Sequence, residues 1–166
     1  MWKKAAYLAV SSSVLALVAY ACSSSDTAPS SIRYTASMSA ANERNADGTP
    51  KTINSSATGT ANFTLTGDTL TYVINVAGLT SAAVASHIHV GSANQNGGIV
   101  TPFGINSGVS IGTLASGTIV MSKIVTGSSQ VSGDSLLKLM NSGNAYVNVH
   151  TTTYGAGEMR GQVARQ

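Results

Sequence analysis

Apolar and polar residues alternate with a period of two along most of the chain after residue 31. Because successive side chains of a β-strand point to opposite faces, this alternation predicts strands with one buried face. The first such run covers residues 32–38, and residues 60–76 read as a hairpin that turns at Gly67-Asp68. Further runs predict shorter strands at 86–90, 99–103, 119–125, 146–151 and 158–164.

Segments rich in Gly, Ser and Asn separate these runs and predict loops at 42–57, 94–98 and 104–117. The one helical signature is 132–140, where Ser132 or Asp134 can cap the first turn and apolar residues recur at helical spacing. Seven to nine short strands with one short helix indicate an all-β domain, an antiparallel sandwich or barrel.

The first 21 residues differ from the rest and predict a signal peptide. Lys3 and Lys4 form a basic start, an apolar stretch follows, and the small residues Ala19 and Ala21 precede Cys22. This arrangement resembles a bacterial lipobox, in which Cys22 would receive diacylglycerol on its thiol and become the new N-terminus. A plain secretory signal and an uncleaved membrane anchor are the alternatives. The stretch from the lysines to the cysteine has 17 residues, three of them Ser, whereas a span needs about 20 apolar residues.

The sequence therefore predicts three parts: a signal peptide at 1–21, a Ser-rich flexible tether at 22–31 and a folded domain at 32–166. Cys22 is the only cysteine, which excludes an intramolecular disulfide and a cysteine-based zinc site. Ser23 follows it, and Gram-negative sorting would read that residue as an outer-membrane signal. We therefore expect an exported protein that its N-terminal lipid holds on a membrane of the cell envelope.

Charge and motifs exclude several functional classes. Without Lys3 and Lys4 the chain keeps seven basic and six acidic residues, so it lacks the basic patch of a nucleic-acid binder. No phosphate-binding loop with its Lys and no G-x-S-x-G elbow is present, and the six carboxylates are scattered along the chain. The sequence therefore predicts a module without catalytic activity.

The three histidines are the residues most able to carry chemistry. His87 and His89 are two apart in the predicted strand S-H-I-H-V, so both imidazoles project from one face. His150 shares the face of its own strand with Tyr146 and Asn148. Two imidazoles side by side and a third from elsewhere can bind Cu(II) or Zn(II).

Glu158 and Arg160 lie across the predicted last hairpin from His150. Glu158 is a candidate metal ligand or a partner that fixes a histidine tautomer, and Asn148 and Arg160 are candidate supporting residues. The ordinary alternative is that the H-x-H pair is only the outward half of a strand. Glu158 and Arg160 are likewise two apart and share a face, and their ordinary alternative is an ion pair.

Six motifs, in order along the chain, resemble the CHRD (chordin) domain family: A-A-N-E (40–43), S-A-T-G-T-A-N-F-T-L (56–65), L-T-Y-V-I-N-V-A-G-L (70–79), S-H-I-H-V-G (86–91), N-G-G-I-V (96–100) and G-N-A-Y-V-N-V-H-T…G-E-M-R-G-Q-V (143–163). The resemblance covers about residues 32–164 and implies an immunoglobulin-like or barrel-like all-β domain. One departure is the segment after Glu43, where the family tends to have Val-Pro-Pro and this chain has a longer polar loop.

The family pattern matches all three histidines and Glu158, which raises the expectation of a metal or polar-ligand site. The H-x-H strand is also similar to that of copper–zinc superoxide dismutases, but that class needs more histidines and a disulfide. Three hypotheses follow: a lipid-anchored, non-enzymatic binding or structural module; a periplasmic or surface metal-binding protein, copper before zinc; and a small hydrolase or redox enzyme on the same cluster.

Overall fold

The computed structural model describes residues 29–124 and 130–166. The predicted signal peptide, Cys22 and most of the predicted tether lie outside these ranges. Within them, no helix is both long enough and apolar enough to cross a lipid bilayer.

In the described residues eight strands form one antiparallel sheet. They are β1 (Ser31–Ser39), β2 (Thr58–Thr66), β3 (Thr69–Ala77), β4 (Ala83–Val90), β5 (Ile99–Pro102), β6 (Gly112–Val120), β7 (Ala145–Thr151) and β8 (Met159–Arg165). Their order in the sheet is β5-β4-β7-β8-β1-β2-β3-β6. The prediction of an antiparallel all-β fold is confirmed, and every predicted strand except that at 119–125 matches an observed one closely.

The sheet curls until its two edges meet. Just after the edge strand β5, Ile105 forms an isolated bridge with Ala115 of the other edge strand, β6. The ring of Phe103 lies 4.8 Å from that of Tyr72 on β3 and 6.1 Å from that of Phe63 on β2. Because side chains from both ends of the sheet touch across its interior, the sheet wraps one hydrophobic core as a barrel does.

The single α-helix of the described residues, α1 (Gly133–Asn141), packs against β7, β8 and the 3₁₀ turn Met121–Lys123. Its N-cap is Ser132, whose hydroxyl oxygen accepts a hydrogen bond from the Ser135 amide at 3.3 Å. The side chains of Leu136 and Met140 are fully buried in the core. The predicted helix, with its capping residue and apolar face, is therefore confirmed.

One strand lies where the sequence predicted a loop. Residues 104–117 were expected to be irregular because of their Gly and Ser content, yet β6 runs through the second half of that range and pairs with β3. A bulge between Ile74 and Asn75 breaks the alternation, so that Leu114 and Ala115 are both buried. A β-carbon added to Gly117 would lie 2.8 Å from the Tyr72 hydroxyl, so the glycine lets that tyrosine cover the strand.

The predicted strand at 119–125 ends earlier than expected. Only its first two residues belong to β6, and residues 121–123 form the 3₁₀ turn. Residue 125 lies outside the described residues. The chain leaves the β3 ladder where the Met121 amide donates to the Asp68 carbonyl at 2.8 Å and the Ser122 amide to the Asp68 carboxylate at 2.9 Å, in the turn between β2 and β3.

We expect Leu136→Ala to lower the free energy of unfolding by about 2–5 kcal/mol, because it leaves a cavity beneath the helix. Leu137→Ala removes the same atoms from a partly buried position and should cost clearly less. Urea unfolding followed by circular dichroism measures both. Equal losses in the two variants would contradict the described packing of α1.

Candidate metal centre

The outer face of β4, β7 and β8 carries a grid of polar side chains. Across the β4–β7 pair, His87 lies opposite Asn148 and His89 opposite Tyr146, while Asn148 lies opposite Arg160 of β8. Directly opposed residues of an antiparallel pair share a face of the sheet. The residues between them on β4 and β7 point into the hydrophobic core, so the grid is on the outside of the curled sheet.

Two loops, 42–57 and 91–98, cover this outer face. The Asn96 side-chain amide donates to two backbone carbonyls of loop 42–57, each at 3.0 Å. The Arg160 guanidinium donates to two backbone carbonyls of loop 91–98, at 2.6 and 3.0 Å, and to the Asn96 side-chain oxygen at 2.8 Å. Arg160 is therefore only 1% exposed although it lies outside the core.

The three histidines converge on this face. One ring nitrogen from each of His87, His89 and His150 lies within 4.8 Å of the other two. His87 Nδ1 and His150 Nε2 are 3.2 Å apart. Two nitrogens bound to one tetrahedral metal at the usual length are about 3.3–3.4 Å apart. The spacing of His87 and His150 is thus close to what a shared metal ion requires, and in the structure the same two atoms form a hydrogen bond.

Backbone carbonyls fix the tautomers of two of these rings. His89 Nδ1 lies 3.0 Å from the Gly97 oxygen, and His150 Nδ1 lies 3.0 Å from the Gly155 oxygen. A carbonyl can only accept, so both Nδ1 atoms carry the proton and both Nε2 atoms present a lone pair. His89 is 8% exposed, and its Nε2 has no hydrogen-bond partner among the described residues.

Burial keeps the three imidazoles neutral. It lowers the pKa of His87, His150 and His89, and for His89 the pKa falls to about 4. The proximity of His150 lowers the pKa of His87 further, and Lys51 acts on His150 in the same direction. The neutral ring is the form that binds metal ions, so the cluster is ready for a cation without first losing protons.

The ring of Tyr146 packs against the ring of His89. The two rings are stacked with centroids 4.8 Å apart and planes 9° from parallel. The Arg160 guanidinium carbon lies 3.5 Å from the centroid of the same tyrosine ring. One ring face holds one planar group, so Arg160 and His89 lie on opposite faces of Tyr146. The sequence pattern placed Tyr146 on this face but gave it no role.

Glu158 lies on the other side of the sheet. Its oxygens accept from the Ser55 hydroxyl at 2.6 Å, from the Thr80 amide and hydroxyl at 2.9 and 3.0 Å, and from the Thr151 hydroxyl at 2.7 Å. Thr151 is adjacent to His150 on β7, so the two side chains point to opposite faces. Burial alone would raise the pKa of Glu158, but these hydrogen bonds together lower it.

The structure thus gives Glu158 a different role from the predicted one of metal ligand. The pattern placed it on the face of Arg160 because the two are two residues apart. Glu158 instead precedes β8, after Gly157 with φ +117°, and strand alternation does not apply there. Nor do Glu158 and Arg160 form the ion pair of the alternative, since the Arg160 guanidinium donates to loop 91–98 and the Glu158 oxygens accept from other groups.

Glu43 is a buried residue of this layer that the sequence analysis did not single out. It is 3% exposed, and one carboxylate oxygen accepts from Asn148 Nδ2 at 2.6 Å. Asn148 is 4% exposed, and its Oδ1 has no partner among the described residues. Only the family motif A-A-N-E marked Glu43 in the sequence, because a loop that folds over a sheet leaves no periodic pattern of apolar residues.

The chain was compared with known proteins. The family model described as the CHRD domain matches residues 34–163. The comparisons with curated proteins and with solved structures gave no match.

Burial raises the pKa of Glu43 from its ordinary 4.5 to about 7, although Lys51, Arg160 and Asn148 act in the opposite direction. The folded state binds the proton on the Glu43 carboxyl more tightly than the unfolded state does. The contribution of Glu43 to the free energy of unfolding is therefore full below its unfolded pKa and is lost as pH rises through about 7. We expect the stability of the unsubstituted protein relative to Glu43→Gln to fall across that window and then level off. Urea unfolding of both proteins between about pH 4 and 8 measures this difference, and a constant difference would contradict the assignment.

Proposed function

The chain belongs to the CHRD domain family, and on that premise we propose that it is a non-enzymatic module that binds a divalent transition-metal ion, copper or zinc. The observation that carries this proposal is the convergence of His87, His89 and His150. Their ring nitrogens lie within 4.8 Å of one another, and a buried lone pair on His89 Nε2 lacks any partner in the described part of the chain.

The donor set supports a borderline transition metal rather than calcium or magnesium. Three neutral imidazole nitrogens suit Cu(II) and Zn(II), whereas the harder cations prefer oxygen ligands. The general order of affinities favours Cu(II) over Zn(II) at such a site. We therefore rank copper first and zinc second.

The surroundings of the rings support binding by lowering its entropic cost. Gly97 and Gly155 orient His89 and His150 through their carbonyls, and Tyr146 holds the plane of His89 by stacking. Such second contacts fix ligand rings before the metal arrives and are worth about 10–100-fold in metal affinity.

Calorimetric titration of the purified protein with Cu(II) and with Zn(II) tests the proposal. We expect one ion per chain at about micromolar Kd or tighter, and no stoichiometric binding in His87→Ala/His89→Ala/His150→Ala. Asp134→Asn serves as the control variant, because Asp134 is an exposed residue of α1 with no contact to the histidines, and its loss should leave the affinity unchanged.

Two results would contradict the proposal. One is a triple variant that is folded, by circular dichroism, and still binds the metal as tightly as the parent. The other is a parent protein that binds neither ion, which would leave the module with a protein or polysaccharide partner at the cell surface.

We also propose that the module is exported and held in the cell envelope by a lipid on Cys22, in the outer membrane if the host is Gram-negative. The lipobox-like sequence before Cys22 supports this proposal. The first strand begins at Ser31, nine residues after that cysteine, and an extended chain of that length reaches about 30 Å.

Metabolic labelling with a radioactive fatty acid tests the anchor. We expect the label to enter the protein and the protein to fractionate with membranes, because a diacylglyceryl group and an amide-linked chain together give stable attachment. Cys22→Ala should lose the label and stay a precursor. A labelled Cys22→Ala protein, or an unlabelled parent, would contradict the lipid anchor.

A further inference from the structure

Asn148 is a neighbour of all three histidines on the outer face of the sheet. It is directly opposite His87 across the β4–β7 pair and diagonal to His89. Along β7 it is two residues from His150, so it points to the same face. All three histidines are therefore neighbours, on the sheet, of a side chain that is 4% exposed.

Two buried polar side-chain atoms lack a hydrogen-bond partner within residues 29–124 and 130–166, namely His89 Nε2 and Asn148 Oδ1. Both are acceptors, since His89 uses Nδ1–H toward the Gly97 carbonyl. A buried polar group without a partner destabilises the fold, because it has given up its hydrogen bonds to water. Two acceptors without partners on the same face of the sheet indicate a ligand that presents a positive charge to His89 Nε2 and a hydrogen-bond donor to Asn148 Oδ1.

The amide of Asn148 is held in one orientation by its other end. Its Nδ2 donates to a Glu43 carboxylate oxygen at 2.6 Å, which leaves Oδ1 as the atom without a partner. Gly157 packs against this pair so closely that an added β-carbon would lie 2.6 Å from Nδ2 and 2.9 Å from the nearer Glu43 oxygen. The glycine also has φ +117°, so a side chain there is strained as well as crowded.

We infer that a metal ion at the triad keeps one coordinated water molecule, and that this water donates a hydrogen bond to Asn148 Oδ1. The inference rests on the proposed metal site. Asn148 carries its oxygen two bonds from Cβ, whereas His89 and His150 carry Nε2 three bonds from Cβ. Since all four side chains rise from the same sheet face, a metal ion held by the ring nitrogens would lie above Oδ1, and a water on that ion would bridge the two.

Asn148 is in this assignment a positioning residue for the fourth ligand and not itself a ligand. A metal-bound water is a better donor than bulk water, because the cation polarises its O–H bonds. Glu43 keeps the receiving oxygen aimed at the water by holding Nδ2. The ligand class at the fourth position is then an exchangeable water, as in metal centres that keep one place open.

Pulsed electron paramagnetic resonance of the Cu(II)-loaded protein in D₂O tests this assignment. We expect the parent to show coupling to three imidazole nitrogens and to one exchangeable coordinated water. Asn148→Leu should keep the three nitrogens and lose the water signal, with metal affinity reduced by about 10–100-fold. Asn62→Leu is the matched control, because Asn62 is an exposed strand residue of β2, and it should retain both signals.

A second measurement needs no substitution at the site. The side-chain amide resonance of Asn148 should move when Zn(II) is added to the ¹⁵N-labelled parent protein, while that of Asn62 should stay. This readout keeps the assignment testable if Asn148→Leu does not fold.

The outcomes distinguish a failure of the metal site from a failure of the water bound to Asn148. Absence of the three-nitrogen coupling would overturn the metal site and this inference with it. Three nitrogens without a coordinated water, a water signal unchanged in folded Asn148→Leu, or a stationary Asn148 resonance would overturn this inference alone.

Discussion

The loops that cover the outer face of β4, β7 and β8 depend on how the charge of Arg160 is buried. A buried guanidinium is costly unless its N–H groups are paired, and here backbone carbonyls of loop 91–98 and the Asn96 side chain pair them. The same contacts draw that loop down onto the sheet, and with it Gly97, whose carbonyl orients His89. The stacking of Arg160 on Tyr146 fixes the ring against which His89 lies. One cation on β8 thus sets the position of a histidine two strands away.

Glu158 performs the corresponding task for His150 from the other side of the sheet. Its carboxylate ties Thr151, Thr80 and Ser55 together, and its amide donates to the Val149 carbonyl at 2.8 Å. These bonds hold the turn before β8, in which Gly155 accepts from His150. Arg160 and Glu158, which the sequence pattern associated with the histidines, therefore position them through backbone carbonyls, from opposite faces of the sheet.

Much of the fold was predictable because strand alternation is a local signal. The inward residues of β1, β2, β3 and β7 recur at every second position, and the sequence located these strands to within about two residues. The H-x-H spacing likewise fixed a common face for His87 and His89. That His150 would meet them was an expectation from the family resemblance and the strand pattern, and the β4–β7 pairing brings the three together.

Two of the failures come from contact between segments far apart in sequence, and the third comes from a local change of backbone direction. β6 exists because β3 offers it a partner, and its Gly and Ser residues conceal this. Glu158 changes face because a glycine with positive φ precedes it, and Glu43 is buried because a loop folds across the sheet. The predicted leader and Cys22 lie outside the described residues, so they stay predictions.

The sequence separation of the histidines has a consequence for when a metal could be acquired. His87 and His150 are 63 residues apart, on strands that are neighbours in the sheet but far apart in the sequence, so the site exists only once these strands have paired. A chain that crosses a membrane unfolded has no such site, so it cannot carry an ion out of the cytoplasm in this way. Metal loading at this triad would therefore reflect the ions of the compartment where folding finishes, and it would mark chains that have completed their fold.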